Sequence, residues 1–200
     1  MTWDLYLALL GFAFVTTVTP GPNNMMLLAS GVNFGFRRTL PHMLGISLGM
    51  GVLVSATGLG VAGLFRAWPP ALTLLKVASV AYMLWLAWKI ARAGAPGSGR
   101  VGARPMTLLQ AAAFQWVNPK AWAMSLGAVT AYVAQPSAAA YLAVAAGFMA
   151  VGLPSISVWA AAGQGLRRWL EHPVRLRLFN GAMAVVLVLS LWPVVTMQMP

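Results

Sequence analysis

The sequence predicts an all-α polytopic integral membrane protein: six transmembrane helices arranged as two inverted three-helix repeats. Three observations carry that reading. Apolar residues make up 60% of the 200-residue chain and charged residues 8%, against about 45–50% and about 25% in soluble domains. Six apolar stretches fall at about 4–33, 40–65, 70–92, 106–134, 138–165 and 175–197, each long enough for a span of roughly 20 residues. The first and fourth carry helix breakers in their interiors, at corresponding places in two halves.

Six spans would use about 120 residues, which leaves short loops and no room for a soluble domain. Residues 1–92 read as the first three-helix repeat, 93–105 as a cytoplasmic linker rich in Gly, Ala and Arg, and 106–200 as the second repeat. With three spans per half, the second half enters the membrane from the opposite face, which makes the repeat inverted. The start, Met1-Thr2-Trp3-Asp4, lacks a basic stretch and reads as part of a span rather than a secretion signal.

The net charge of +11 does not point to nucleic acid. The basic residues sit in short clusters between apolar runs, where they report topology. One side receives Arg37, Arg38, Lys89, Arg92, Arg100, Arg104, Arg167, Arg168, Arg175 and Arg177; the other receives Arg66 and Lys76. The richer side faces the cytoplasm, so both termini are predicted outside. Trp3, Tyr6, Trp68, Tyr132 and Tyr141 fit an outer aromatic belt, and Trp85, Trp88 and Trp169 an inner one.

The breaks hold the candidate site. In the first, Thr19-Pro20-Gly21-Pro22-Asn23-Asn24 interrupts the helix, because proline has no N–H and clashes with the preceding turn. Gly21 admits backbone angles that other residues avoid. Asn23 and Asn24 stand where a new half-helix begins and suit a cap, and a helix N-terminus attracts a carboxylate. In the second, Asn118 and Pro119 break the span about a dozen residues in, near mid-bilayer at about 1.5 Å per residue. Lys120 follows, and a lysine there costs at least roughly 2.5–3.5 kcal/mol on insertion scales. Its compensation is an anionic ligand, the carbonyls freed around Pro20 and Pro22, an amide such as Gln115, or water reached directly or by snorkelling. Asp4 and Glu171, the two acidic residues, lie too far out to pair with it.

Other polar residues carry less. Gln110, Ser47, Ser55, Thr57, Ser125, Ser155 and Ser157 read as hydrogen-bonding helix carbonyls more often than a ligand. His42 reads as an interfacial histidine, with a proton relay as the alternative. Trp116 and Trp122 either wall a cavity or pack in the core. The glycine-rich second and fifth stretches let helix backbones approach closely. With no cysteine and two histidines, neither a metal site nor an enzyme's nucleophile–base set can be assembled. No cofactor is expected.

These residues resemble a known family. Thr19-Pro-Gly-Pro-Asn-Asn24, Gly35-Phe-Arg-Arg38 and Gly45-Ile-Ser-Leu-Gly49 resemble the opening half of the LysE/RhtB amino-acid exporters, and Asn118-Pro-Lys120 resembles the family's second-half motif. The resemblance implies a bacterial inner-membrane exporter of amino acids or close derivatives, driven by the proton gradient. It further implies that Pro20, Gly21, Pro22, Asn23, Asn118, Pro119 and Lys120 meet at the substrate path; Asn24 and Gln115 join them on the reading of the breaks. Pro-Gly-Pro-Asn-Asn looks closer to the exporters of neutral amino acids and cysteine/O-acetylserine than to the lysine exporter. The partners expected are an amino-acid substrate and the lipid bilayer, with a homo-oligomer left open. A passive channel or an exporter of another small metabolite is the alternative.

Overall fold

In the computed structural model, residues 1–61, 63, 67–92 and 104–192 are described. Among them there is no strand, and the helices run α1 Trp3–Val18, α2 Pro22–Phe34, α3 Phe36–Ala56, α4 Pro69–Ala91, α5 Leu108–Phe114, α6 Pro119–Tyr132, α7 Ala138–Leu166 and α8 Pro173–Leu189. A π-helical turn, Thr57–Val61, extends α3, and a 3-10 turn, Gln115–Val117, extends α5. Of the predicted linker only Arg104 and Pro105 are described. Arg66, Arg100 and the end of the sixth stretch lie outside the described residues.

Three helical segments, Phe36–Val61, Thr73–Ala91 and Ala138–Leu166, are long and apolar enough to cross a membrane, and α1 with α2 makes a fourth bent by 56°. Among the described residues the remaining two stretches give shorter helices. Asn118 and Pro119 divide the fourth into α5 and α6. The sixth gives a 17-residue α8 that holds Arg175 and Arg177 in its first turns. Leucines and valines such as Leu48, Val52, Leu74, Val77, Val158 and Val185 stand exposed along the helices, as a lipid solvent requires.

Local signals set the helix starts. Thr2 Oγ1 accepts from Leu5 N–H and Ser137 Oγ from Ala140 N–H, each filling an orphan donor of a first turn. Thr107 and Gln110 form a reciprocal capping box at α5, so Gln110 is a helix cap. Proline opens α2, α4, α6 and α8, where its missing N–H is an orphan anyway.

The packing converges on α7, which lies against α1, α2 and α3. The α2–α7 crossing is a backbone contact: a Cβ at Gly31 would strike the Ala160 carbonyl oxygen, and one at Gly163 would strike that of Leu28. Leu9, Ala13, Leu53, Ala128, Val144 and Phe148 close the core between α1, α3, α6 and α7, while α4 pairs with α8 around Met83 and Leu187. Gly35 at the α2–α3 turn has φ 79°, a left-handed conformation that glycine adopts freely.

Close contact makes Gly163 intolerant of a single methyl group. Gly163→Ala should destabilise the protein by about 1–3 kcal/mol through overpacking. Gly165→Ala, where a Cβ meets open space, should be neutral or mildly stabilising. Melting of the two purified variants in detergent checks this; equal midpoints would refute the crossing.

Candidate functional site

The first break releases a run of backbone carbonyls, and each finds a donor. Val15 O accepts from Thr19 N at 3.2 Å, and Thr16 O from Thr19 Oγ1 at 3.0 Å. Asn24 Nδ2 donates to Thr17 O at 2.8 Å and to Thr19 O at 2.7 Å. Trp159 Nε1, from α7, donates to Val18 O at 3.0 Å. Lys120 Nζ donates to Thr19 O at 2.8 Å, Thr19 Oγ1 at 2.9 Å and Pro20 O at 3.1 Å. Gly21 O takes Met25 N at 3.0 Å, the first bond of α2.

Two sequence expectations change here. Pro22 occupies the first helical position, so the N-cap falls on Gly21, and Asn23 and Asn24 lie inside α2. Asn24 therefore reaches back to α1 instead of capping α2. Gly21 has φ 177°, an extended conformation open to any residue, so backbone freedom does not explain it. Space does: a Cβ there would come within 2.8 Å of Lys120 Cδ.

The second break has the same logic with fewer parts. Asn118 is the N-cap of α6, its Oδ1 accepting from Lys120 N–H at 3.1 Å. Trp122 Nε1 donates to Trp116 O at 2.8 Å, the counterpart of Trp159 on Val18. The two indoles meet edge to face at 5.9 Å. Neither lines the cavity, so they belong to the packing around the break.

Between the breaks lies a cavity of about 40 Å³, lined by Gly21, Pro22, Asn23, Asn24, Gln115, Asn118 and Lys120 among others. It has room for a few waters. Pro20 and Pro119 set the breaks without lining it. Across it Asn23 and Gln115 exchange amide hydrogen bonds at 2.9 and 3.2 Å, and Gln115 Nε2 also donates to Ala111 O. The N-terminus of α2 opens here with no side-chain cap. All three Lys120 ammonium protons have acceptors within Thr19 and Pro20.

Among the residues given lesser weight, Ser55, Thr57, Ser155 and Ser157 bond carbonyls of their own helices. Ser125 donates to Thr57 at 2.8 Å, and Ser47 reaches Met149 O at 3.4 Å while lining the cavity. His42 is 1% exposed, so protein rather than headgroups surrounds it. Sequence reasoning missed Thr16, Thr17, Met50, Met124 and Phe148 in the lining, and Trp159 as a donor. Thr17 lay two residues from the quoted motif, but the apolar members carry no signal apart from core spacing.

Apolar helices and two broken segments that face each other across a cavity of mixed polar and apolar lining are the architecture of a membrane carrier. The chain belongs to the LysE type translocator family, whose model matches residues 14–190; it is a transporter and not an enzyme. It is similar to the cysteine/O-acetylserine efflux protein of Escherichia coli strain K12, 35% identical over 134 residues, which are 66% of this chain and 68% of the relative. The protein of that name from Shigella sonnei strain Ss046 matches to the same extent. That of Escherichia coli O1:K1 / APEC is 34% identical over 134 residues. No solved structure matches.

Removing the Asn24 amide strips Thr17 O of its donor and leaves Thr19 O to Lys120 alone. Asn24→Leu should cost about 1–3 kcal/mol, the penalty of an unsatisfied buried acceptor. Asn33→Leu should cost little, because its exposed amide bonds only Ala29 O within its own helix. Chemical or thermal unfolding of both variants in the same detergent compares them; similar losses would contradict the assignment.

Proposed function

We propose that this chain exports small neutral amino acids or their derivatives from the bacterial cytoplasm across the inner membrane, by alternating access coupled to protons. One observation carries the proposal. The Asn23–Gln115 amide pair bridges the two breaks inside a cavity where an uncapped helix N-terminus and Lys120 converge. A zwitterion fits that set: its carboxylate suits the α2 N–H groups and the Lys120 charge, and its ammonium suits the amide oxygens of Asn23 and Gln115. The relatives' cysteine/O-acetylserine efflux supplies the substrate class. The nearest acids by sequence, Asp4 and Glu171, are remote from the breaks, which disfavours a cationic side chain.

In this reading the six spans are α1–α2, α3, α4, α5–α6, α7 and α8, in two inverted units of residues 1–92 and 106–200 joined by the 93–105 linker. The packing supports it in part: exchanging α1 with α5, α2 with α6 and α3 with α7 maps α2–α3 onto α6–α7 and the main contacts of α7 onto those of α3, while α1–α6 has no comparable α2–α5 counterpart. Thus α3 packs on α5 as α7 does on α1, and α3 on α6 as α7 does on α2. The termini are placed outside, with the basic clusters in the cytoplasm. Lys89 over Trp85 and Arg92 over Trp88, each at 4.7 Å, suit that interface.

Asn23 and Gln115 bond each other across the cavity, so in this reading binding separates α2 from the α5–α6 break. A carboxylate arriving at Lys120 competes with Thr19 and Pro20 for the ammonium, and an amino acid competes with Asn23 for Gln115. Binding therefore loosens the same bonds that tie the two units together. Labelled amino acids offered to everted vesicles, with and without an imposed pH gradient, test this. Saturable, gradient-dependent uptake of a neutral class is expected. Asn23→Ala should raise the half-saturating concentration about tenfold to a hundredfold, as for loss of a hydrogen bond worth about 1.5–3 kcal/mol to a charged group. Uptake without saturation would instead fit a passive channel.

A further inference from the structure

His42 is buried in α3 at 1% exposure, and no protein group hydrogen-bonds either of its ring nitrogens. Buried side-chain nitrogens nearly always have partners, so an exception calls for a reason. Its position supplies one. Residues four and eight positions on, Ile46 and Met50, share its face of the helix, and both line the central cavity with Ser47. Three positions before it, Thr39 is fully buried; its Oγ1 donates to Gly35 O at 2.9 Å and shares a 2.8 Å hydrogen bond with Ser30 Oγ. Buried Thr39 and His42 thus stand on the stretch of α3 that runs from the α2–α3 turn to Ser47 at the cavity. At about 1.5 Å per residue, Thr39 to Ser47 spans about 12 Å.

The elements packed against α3 are α2, α5, α6, α7 and the turns at Thr57–Val61 and Gln115–Val117. Among them the titratable side chains are Lys120 and Tyr132 on α6 and Tyr141 on α7. Lys120 Nζ is held at Thr19 and Pro20, Tyr132 rests on Phe12, and Tyr141 packs at Gly58, far along α3 from His42. On α3 itself Arg37 and Arg38 are exposed. None of these is a carboxylate, so no anion would hold a proton on the imidazole once it had bound. Histidine is the side chain whose ordinary range lies between roughly pH 5 and 8.

We propose that His42 is the proton-binding group of the transport cycle. When the cavity faces outside, a ring nitrogen takes a proton from hydronium and leaves water. When the cavity faces the cytoplasm, the imidazolium returns that proton to water on the side of the Ser30–Thr39 pair. The proposal rests on the proton-coupled export reading above and commits it to one residue.

Two measurements test it separately from that reading. The first needs no substrate. The chain has two histidines, so in purified His172→Gln protein the nitrogen resonances of the remaining ring report His42 alone. A reversible protonation of the folded protein as the solution is acidified is expected; a ring that stays in one state until the protein unfolds overturns the proposal. The second compares wild-type and His42→Gln everted vesicles with labelled O-acetylserine. The variant should lose gradient-driven accumulation yet keep exchange counterflow. Retained accumulation, or loss of counterflow in a variant with wild-type melting, overturns it. If wild-type vesicles carry no O-acetylserine, the substrate reading fails and the resonance titration decides His42.

Discussion

A peptide carbonyl released inside a membrane must be paired by the protein, because lipid offers no donor. The rest of the structure follows from that constraint. Pro20 and Pro22 end one helix and begin another, and every carbonyl from Val15 to Gly21 is then met: by Thr19 and Met25 locally, by Asn24 from the next helix, by Trp159 from α7 and by Lys120 from α6. The break can exist only where these elements come together, so it fixes where α2, α6 and α7 sit. Lys120 in turn obtains three acceptors without a carboxylate, which offsets much of the cost of a cation at that depth.

On the proposed function, stability and transport draw on the same groups. The Asn23–Gln115 pair and the Lys120 contacts hold the two breaks against each other when the cavity is small. They are also the groups whose chemistry suits a zwitterion. A carrier needs its resting contacts to be replaceable by substrate, since a ligand shifts a conformational equilibrium only by its differential affinity for the two states. Amide–amide bonds and an ammonium on neutral carbonyls meet that need. A buried carboxylate on Lys120 would bind the cation more tightly and oppose the exchange.

Local features were legible in the sequence and most long-range ones were not. Pro20, Pro22 and Pro119 announce the breaks, and the apolar runs place helices within a few residues: 138–165 was expected for Ala138–Leu166, and 70–92 for Pro69–Ala91. The run at 106–134 divides into α5 and α6 at Asn118-Pro119, where the sequence placed its break. Pairings were another matter. Asn23 and Gln115 lie 92 residues apart and Trp159 and Val18 141, and no local period encodes such partners; for Lys120 the need to compensate a charge offered the carbonyls around Pro20 as one alternative, and Thr19 and Pro20 supply them. Gly21 misled because a glycine between prolines suggests special backbone angles, whereas its real constraint is the side chain lying over it. His42 misled because its nearness to Arg37 and Arg38 suggested the interface, and only packing shows it enclosed.

The central claim is that Lys120 lies across the first break and binds it to the second. A double-mutant cycle on Gly21 and Lys120 tests this most directly, because a Cβ at Gly21 meets the Lys120 side chain first. Gly21→Ala should destabilise the otherwise wild-type protein and add nothing once Lys120→Ala has cleared the space, giving a coupling of about 0.5–3 kcal/mol as for residues in contact. Strictly additive losses would place Lys120 elsewhere and contradict the account.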